Sequence, residues 1–334
     1  MPGKRIGLCL VFAAAAGLAA LAPSGRVRGE DFPAGGITAI VALGAGGSMD
    51  VITRLYGQKL AERFDKPFVV ENRGAAAGNI AAEAVARAQA DGRTLLVASS
   101  GVYAINGTFF KSLAYDAARD FVPIAVYVKV PFVLVTRAQS PIASLADLVA
   151  AAKQQPGKLT FASTGLGLAP HLAGELLKAK LGIDLTHVPY KGSMAQALSD
   201  VMAGHVDLMF ADPSNAIPLI KDGKLKAFGA SSSTRLPQLP DVPTIGELIA
   251  APDFEAVSWH AIAAPARTPQ PVVDKLHAAL VDAFKDQAVI AKIQAMGLTP
   301  INPPLGGSAA RAYIAAETEK WGALLKRLDL VGHE

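Results

Sequence analysis

The sequence predicts an α/β protein of two lobes, with chain segments that cross between the lobes more than once. Short apolar runs alternate with amphipathic helical patterns along most of the chain. Two extended runs, at residues 123–137 and 256–264, interrupt this alternation and contain no helical pattern. The chain is also longer than one hydrophobic core usually supports, so two cores are expected.

Six short runs rich in β-branched and apolar residues are typical of buried strands. They cover residues 38–43, 68–71, 94–99, 159–163, 206–211 and 225–230. Helical patterns lie between them, as in the series of apolar positions that follows residue 50 and falls on one helix face: Ile52, Leu55, Tyr56, Leu60 and Phe64. Alternation of this kind predicts parallel sheets with helices on both faces.

The two extended runs divide the chain into lobes. We interpret residues 123–137, interrupted by Pro131, as the crossing into the second lobe, and residues 256–264 as the return. The predicted boundaries are residues 30–131 with 255–334 for lobe 1, and 132–254 for lobe 2. Two crossings favour hinge motion around a central cleft. A single large sheet with a long edge strand is the alternative.

The first 29 residues have the layout of a secretory signal peptide. Lys4 and Arg5 precede an apolar run over residues 6–21, and small residues allow cleavage after Ala22 or after Gly29. We expect residues 1–29 to be removed on export. An uncleaved anchor is the alternative, because the apolar run is slightly long for a signal.

Loss of this leader removes the apparent basicity of the chain. The whole sequence has 32 Lys and Arg residues against 28 Asp and Glu residues, but four basic residues lie in the leader, which leaves 28 against 28. A chain without excess positive charge gives no support to a nucleic-acid or anionic-membrane partner. The single cysteine, Cys9, also lies in the leader, so the remaining chain has neither disulfide nor thiol chemistry.

The first candidate binding element is VALGAGGSMD, residues 41–50. An apolar strand runs into Gly44, Gly46 and Gly47 and then into a helix. Glycine lets the backbone approach a ligand closely, and the first N–H groups of a helix lack intrahelical acceptors. An anion supplies such acceptors, so this segment, the first glycine turn (residues 43–48), is a candidate anion site. An ordinary strand-to-helix turn is the alternative.

The second element is FASTGLGLAPH, residues 161–171, built in the same way. A strand is followed by Ser163, Thr164, Gly165 and Gly167 and then by a helix. We call residues 163–168 the second glycine turn. One such turn in each predicted lobe would direct two sets of N–H donors into one cleft, beyond the carboxyl ends of the strands.

Four further residues are candidate ligand contacts. Ser99 ends a predicted strand, Tyr190 lies in HVPYKG (residues 187–192), and Trp259 and His260 lie together on the predicted return strand. Strand ends beside a cleft are where ligand contacts concentrate. The structural alternatives are turn chemistry for Ser99 and core positions for Trp259 and His260.

Motifs for catalysis are missing from the sequence. It has no Gly-x-Ser-x-Gly elbow, no His-Glu-x-x-His, no Cys/His metal spacing and no EF-hand loop. Ser163 and His171 could pair as nucleophile and base, but no acidic residue is indicated to orient the histidine. We therefore expect a binding protein with no catalytic residue, no metal and no cofactor.

Several segments, taken in order, carry a resemblance to a known family. They are AGGSMDVITR (residues 45–54), the stretch at 69–96, FASTGLGLAPHLAGELL (161–177), HVPYKG (187–192), LPDVPTIGEL (239–248) and Ser258–Trp259 leading to APARTP (264–269). Over nearly all of the chain after the leader, the sequence resembles the periplasmic substrate-binding proteins of tripartite tricarboxylate transporters, a family greatly expanded in Bordetella-like bacteria.

The resemblance implies a type II-like periplasmic binding protein that closes by a hinge on a small mono- or dicarboxylate and presents it to membrane permease subunits. It implies that backbone and hydroxyl donors of both turns hold the ligand carboxylate without an arginine clamp. The implied contacts are Gly46, Gly47, Ser48 and Asp50 on one side and Ser163, Thr164, Gly165 and His171 on the other. Asp50 would act as a helix cap rather than an anion contact.

We expect a periplasmic monomer, and the alternative function is a ligand-binding partner of a histidine-kinase sensor. Two positions depart from the family pattern. Ala42 stands where proline is common, and His260 and Ala261 follow Trp259 where an aromatic residue and glycine are usual. We hypothesise that His260 contacts a second carboxylate or a ring hydroxyl at the far end of the pocket.

Overall fold

The computed structural model describes residues 32–190 and 193–332. The predicted signal peptide, together with Lys191 and Gly192, lies outside the described residues. Within the described part of the chain, the strands form two separate sheets. No described helix is both long enough and apolar enough to cross a membrane.

The strands are, in chain order, β1 (Ile37–Val41), β2 (Phe68–Asn72), β3 (Thr94–Ser99), β4 (Phe121–Val130), β5 (Val133–Arg137), β6 (Thr160–Ser163), β7 (Thr186–Pro189), β8 (Leu208–Ala211), β9 (Leu225–Ala230), β10 (Ser258–Pro265) and β11 (Thr299–Leu305). The first sheet has the order β11-β4-β10-β3-β1-β2, and the second has the order β7-β6-β8-β5-β9. All six runs predicted as strands are strands, with ends that differ by at most two residues.

The helices are α1 (Ser48–Phe64), α2 (Asn79–Ala86), α3 (Asn106–Phe109), α4 (Ala117–Asp120), α5 (Leu145–Gln154), α6 (Ala169–Leu181), α7 (Met194–Ala203), α8 (Pro213–Lys221), α9 (Ile245–Leu248), α10 (Gln270–Ala283), α11 (Gln287–Ala295) and α12 (Gly307–Arg327). A 3-10 turn at Ala76–Gly78 and a π-helical turn at Gly101–Ile105 complete them. The apolar face predicted for α1 is buried, with Ile52, Tyr56 and Leu60 at its centre.

The prediction of parallel sheets is wrong for one strand in the middle of each sheet. β10 runs antiparallel to both β3 and β4, and β5 runs antiparallel to both β8 and β9. The cause is the double crossing. A strand that enters a lobe from the edge facing the other lobe must run against strands that end at that edge. The edge strand β11 is also antiparallel to its neighbour β4.

Three buried apolar clusters fill the molecule. One lies between the first sheet and α1, α10 and α11, and one lies on the second sheet beneath α7 and α8. The largest cluster is continuous from the first sheet to the second, and joins Trp259 and Trp321 to Phe132, Phe161 and Leu172. The two lobes therefore share apolar packing on one side.

The two extended runs do pass from one sheet to the other. β4 belongs to the first sheet and β5 to the second, so the chain crosses at Pro131 and Phe132, and β10 returns it to the first sheet. All strands of the first sheet lie within residues 30–131 and 255–334, and all strands of the second lie within 132–254. The positions of the lobe boundaries stay a prediction.

Two strands were not predicted from the sequence. β7 is four residues long and half-exposed, so its apolar pattern is weak. β11 contains three prolines, which lack the N–H that a central strand must donate. Its place at the edge of the first sheet explains why prolines are tolerated there.

Ser231 ties the crossing segments together. Its backbone N–H donates to the carbonyl oxygen of Phe132 (2.8 Å), and its hydroxyl accepts from the Phe132 N–H (2.8 Å). The same hydroxyl donates to the carbonyl oxygen of Ala256 (2.7 Å), whose N–H donates back to the Ser231 carbonyl (3.0 Å). Ser231, the residue that directly follows β9, is fully buried. Its four hydrogen bonds hold the outgoing segment at Phe132 beside the returning segment at Ala256.

We expect Ser231→Ala to lower the free energy of unfolding by about 2 kcal/mol, because it leaves the buried N–H of Phe132 and carbonyl of Ala256 without these partners. Urea denaturation measures the loss. The control is Ser232→Ala, whose hydroxyl bonds only to the carbonyl oxygen of Thr234 within the same loop, and which should cost about 1 kcal/mol or less. Equal losses in the two variants would contradict a tethering role for Ser231.

Candidate functional site

The two glycine turns lie at the edges where the two sheets meet. The chain leaves β4 at Val130 and begins β5 at Val133, so the carboxyl end of β4 adjoins the amino end of β5. β1 and β3 run in the same direction as β4 and end at the same edge, and β6 and β8 end beside the start of β5. Both turns follow these strand ends and therefore face one cleft.

Asp50 holds the first glycine turn from within. The residue is at the third position of α1 and its Oδ2 accepts from the Gly46 N–H at 2.9 Å, while Arg54 contacts Oδ1 at 2.9 Å. Burial raises the pKa of Asp50, but the hydrogen bonds from Arg54 and Gly46 outweigh burial and leave the pKa below its ordinary value. The expected capping role needs correction, since the N-cap itself is Gly47 and no side chain caps it.

The backbone of the first glycine turn is open to solvent. Residues 43–47 are all exposed, and Gly46 adopts the left-handed conformation with φ +81°. The first intrahelical bond of α1 runs from the Val51 N–H to the Gly47 carbonyl. The N–H groups of Ser48 and its neighbours therefore have no acceptor within the helix. Gly46, Gly47 and Ser48 remain predicted contacts in a position suited to an anion.

Ser163 fixes the second glycine turn rather than facing outward. Its hydroxyl accepts from the Gly165 N–H (3.1 Å), lies 3.0 Å from the Gly165 carbonyl oxygen, and lies 2.7 Å from Nε2 of His187. A hydroxyl has one hydrogen, and these acceptors already compete for it. Ser163 is also fully buried. These bonds make Ser163 a support of the turn, and a direct contact between its hydroxyl and a ligand stays a prediction.

His171 also supports the turn from behind. Its Nδ1 accepts from the Gly167 N–H at 3.1 Å, and its ring stacks on His187 with centroids 4.0 Å apart. Only 2% of its surface is exposed. Thr164 and Gly165 are half-buried and Leu166 is exposed, so these three residues are the accessible part of the turn. A direct ligand contact by His171 stays a prediction.

His187 is a residue that sequence reasoning missed. It lies on β7 opposite Phe161 of β6, which brings its ring against Ser163. Burial, with a smaller contribution from Lys178, lowers the pKa of His187 to about 4, so the ring is neutral near pH 7. His187, and not His171, is the histidine that contacts the Ser163 hydroxyl, because parallel pairing of β6 and β7 sets the neighbours.

Tyr190 is joined to the second glycine turn by its backbone. Its N–H donates to the Ser163 carbonyl oxygen at 2.9 Å, whereas its hydroxyl donates to Asp200 Oδ2 at 2.6 Å. Burial and the neighbouring Asp200 carboxylate raise the pKa of Tyr190 to about 12. With its hydroxyl on Asp200, Tyr190 helps to position the turn, and its contact with a ligand stays a prediction.

Ser99 and His260 are paired across β3 and β10 at the edge of the first sheet. Ser99 is half-buried beside the cleft. His260 is 3% exposed, its ring lies 6.2 Å from that of Tyr127, and burial lowers the pKa of His260 to about 3. A neutral ring at this position can exchange hydrogen bonds but offers no positive charge to a second carboxylate. The distal role of His260 stays a prediction.

Trp259 points into the core. It has no exposed surface, its indole N–H donates to Glu317 Oε2 at 3.0 Å, and its ring stacks on Tyr103 with centroids 6.0 Å apart. These contacts favour the core interpretation over ligand contact.

Three more polar residues lie at these strand ends and were not among the predicted ligand contacts. The hydroxyls of Ser100 and Ser258 lie 2.9 Å apart and are buried at the cleft edge of the first sheet. Asp212 directly follows β8. A common signal, a polar residue next to a buried strand end, marks all three. Within residues 32–190 and 193–332, no cluster of three potential metal ligands is present.

Gly167 brings the second glycine turn against lobe 1. It has φ +74°, and a Cβ added there would lie 2.7 Å from the Phe109 ring. Gly46 has a similar φ of +81° but open space around its Cβ position. Comparing the two glycines therefore separates backbone strain from contact between the lobes.

We expect Gly46→Ala to lower the free energy of unfolding by about 1–2 kcal/mol through left-handed strain alone. Gly167→Ala should cost about 1–3 kcal/mol more, since the added methyl also meets Phe109. Urea denaturation of both variants measures the difference. Phe109→Leu in the Gly167→Ala background should recover part of the loss, and equal costs at the two glycines would contradict the contact.

Comparison with known proteins gives a consistent result. Residues 52–330 match the model of the tripartite tricarboxylate transporter family receptor. Protein BugT of Bordetella pertussis is 34% identical over 317 residues, which cover 95% of this chain and 94% of BugT.

Solved structures agree. The structure of R. palustris Rpa4515 with adipate has a TM-score of 0.81 and 32% identity, over 91% of this chain and 100% of that chain. MatC from Rhodopseudomonas palustris with bound malate has a TM-score of 0.76 and 30% identity, over 88% and 100%. These neighbours confirm the predicted two-lobe fold. The chain therefore belongs to the family of tripartite tricarboxylate transporter receptors, as its sequence segments predicted.

Proposed function

We propose that this protein captures a small organic acid anion in the cleft between its lobes and delivers it, unchanged, to the membrane subunits of a tripartite tricarboxylate transporter. The observation that carries the proposal is the pair of glycine turns, one at the cleft edge of each sheet, each followed by the N-terminus of a helix. Closing the lobes would bring both sets of backbone donors onto one carboxylate.

Neutral donors are sufficient for this task. Residues 43–48 and 163–168 contain no lysine or arginine. A hydrogen bond from a neutral donor to a charged group contributes about 1.5–3 kcal/mol, and a helix N-terminus adds about 0.3–1 kcal/mol. A few such bonds from each turn supply enough affinity for capture without the charge of an arginine clamp.

Exposed leucines on both turns support an acid with a carbon skeleton. Leu43 of the first glycine turn and Leu166 of the second are each 43% exposed and lie next to the predicted anion contacts. Two apolar side chains beside the anion site would pack against the carbon skeleton of an organic acid. They would contribute little binding free energy to an inorganic anion, which has no such skeleton. The structures of Rpa4515 with adipate and MatC with malate point to the same ligand class.

Location and partners follow from the family and from the leader. The receptor family and the predicted signal peptide support a periplasmic protein that meets permease subunits in the inner membrane. We propose a monomer with no nucleic-acid partner.

Binding without turnover is part of the proposal, although Ser163 and His187 are 2.7 Å apart like a nucleophile and its base. The Ser163 hydroxyl is buried and bound to both polar groups of Gly165. Among the described residues, no carboxylate hydrogen-bonds to the His187 ring, which packs on Phe161 and His171. A triad needs such an orienting carboxylate and an exposed hydroxyl.

A thermal-shift screen tests the ligand class directly. The panel contains adipate, malate, other mono-, di- and tricarboxylates, aromatic acids and acidic amino acids, with sugars and cationic amino acids as controls. An acid at one hundred times its Kd should stabilise the protein by about 2.7 kcal/mol and raise Tm by several degrees. Stabilisation by a sugar or a cation, with no response to any carboxylate, would overturn the proposal.

Two substitutions at Gly47 test whether backbone N–H groups bind the acid. Gly47 has φ −74°, which proline adopts, and a Cβ there would meet only the Gly44 carbonyl at 3.7 Å. Gly47→Ala keeps the N–H and should bind like the parent. Gly47→Pro removes it and should weaken binding of the panel acids about 10- to 100-fold in calorimetric titration. Equal binding by both variants would rule out the Gly47 N–H as a donor.

A further inference from the structure

Asp212 lies at the carboxyl end of β8, between the strand that carries the second glycine turn and the strand that begins at the crossing. It directly follows β8, whose last residue Ala211 pairs with Val133 at the start of β5. On the other side, β8 runs parallel to β6 with Met209 opposite Ala162, so Asp212 is level with the second glycine turn one strand spacing away, about 5 Å.

A segment of lobe 1, at Gly297, also packs beside Asp212. A Cβ on Gly297, just after α11, would lie 2.5 Å from Pro213, the residue after Asp212. The carboxyl group of Asp212 is therefore placed between the two lobes, where an acid anion held by the second glycine turn would be its neighbour.

The carboxyl group is bound on one side only. Oδ1 accepts from both the N–H (2.9 Å) and the hydroxyl (2.6 Å) of Ser214, as the N-cap of α8. No described residue hydrogen-bonds to Oδ2. Asp212 is half-buried and its Oδ2 is not enclosed by protein, so this oxygen is available to an oxygen of a bound ligand.

Burial raises the pKa of Asp212, and the two bonds from Ser214 only partly oppose this. No charged group contributes to the shift. The titratable groups on the elements around Asp212 are His171, Glu175, Lys178 and Lys180 on α6, His187 on β7, Asp200 on α7, Arg137 at the far end of β5, Lys221 at the far end of α8, Lys226 on β9 and Lys292 on α11. An anion bound beside Asp212 would favour its neutral form further.

We propose that Asp212 contacts the captured organic acid as a neutral carboxyl group, whose proton is donated from Oδ2 to an oxygen of the acid. Each acid anion is then bound together with one proton from solvent whenever the pH is above the pKa of Asp212. This inference rests on the proposed function. It adds Asp212 as a further ligand contact and adds the uptake of one proton with each bound acid. Acids with a carboxylate, keto or hydroxyl oxygen next to the anchored carboxylate are the class that this arrangement favours.

Calorimetric titration with adipate, malate and every other panel acid that raises Tm tests the inference. Titrations at one pH in buffers of different ionisation enthalpy count the protons taken up. Between about pH 7.5 and 8.5 the carboxyl groups of the panel acids are ionised, including the last carboxyl of a tricarboxylic acid, so proton uptake belongs to the protein. We expect uptake approaching one proton, and an affinity that falls about tenfold per pH unit above the pKa of Asp212.

Asp212→Asn keeps an oxygen for the Ser214 N–H and still donates from its amide. It should bind these acids with no proton uptake and with an affinity independent of pH, and at the alkaline end it should bind more tightly than the parent. Asp286→Asn is the matched control. Asp286 is also an N-cap, with its side chain on the Ala288 N–H, but it pairs with Lys59 away from the cleft and should behave like the parent.

Proton uptake that is absent from the parent, or that persists in Asp212→Asn, overturns the inference and leaves the proposed function intact. Failure of every carboxylate to bind overturns both. A second measurement does not depend on the variant: in the parent labelled with ¹³C-aspartate, the Asp212 carboxyl resonance should stay at its protonated position to higher pH when adipate or malate is bound than when it is absent. An unchanged titration would also overturn the inference.

Discussion

The chain passes from one sheet to the other at the edge where both sheets end, and every feature of the site follows from this. Strands β1, β3 and β4 end at that edge in the first lobe, and β6 and β8 end there in the second. Ser231, with four hydrogen bonds to Phe132 and Ala256, keeps the outgoing and returning segments together. We expect a pivot held in this way to let the lobes rotate while the strand ends stay opposite each other.

The electrostatics of the cleft suit the proposed binding of an anion by neutral donors. Asp50 is ionised, and its carboxylate is bound by Arg54 and by the Gly46 N–H. These bonds fix the first glycine turn and reduce the repulsion between Asp50 and a bound anion. Behind the second turn, His187 is neutral near pH 7 because it is buried. Backbone N–H groups then provide the positive ends of dipoles, and their strength increases when lobe closure excludes water.

Local pattern was enough to find six strands, the two crossings and both glycine turns, because each depends on residues close together in the sequence, but it did not find β7 and β11. What local pattern could not provide was pairing. The direction of β10 and the contact between Ser163 and His187 depend on which strands become neighbours. Trp259 shows the limit in another way: adjacent residues of a strand point to opposite faces, so Trp259 and His260 could not share one environment. Asp212 carries the same signal as Ser99, a polar residue at a strand end, and was not singled out from the sequence.

The proposed use of peptide groups as the anchor bears on how such receptors diversify. A side chain that binds a ligand is lost in a single substitution, whereas the N–H groups of residues 47 and 48 persist through almost any exchange except proline. The side chains around the anchor, Leu43, Leu166 and His260 among them, can therefore vary without destroying the ability to hold a carboxylate. A receptor encoded by a duplicated gene would keep its ability to bind a carboxylate while the side chains that line the cleft changed. This architecture would therefore readily give rise to receptors for new carbon sources.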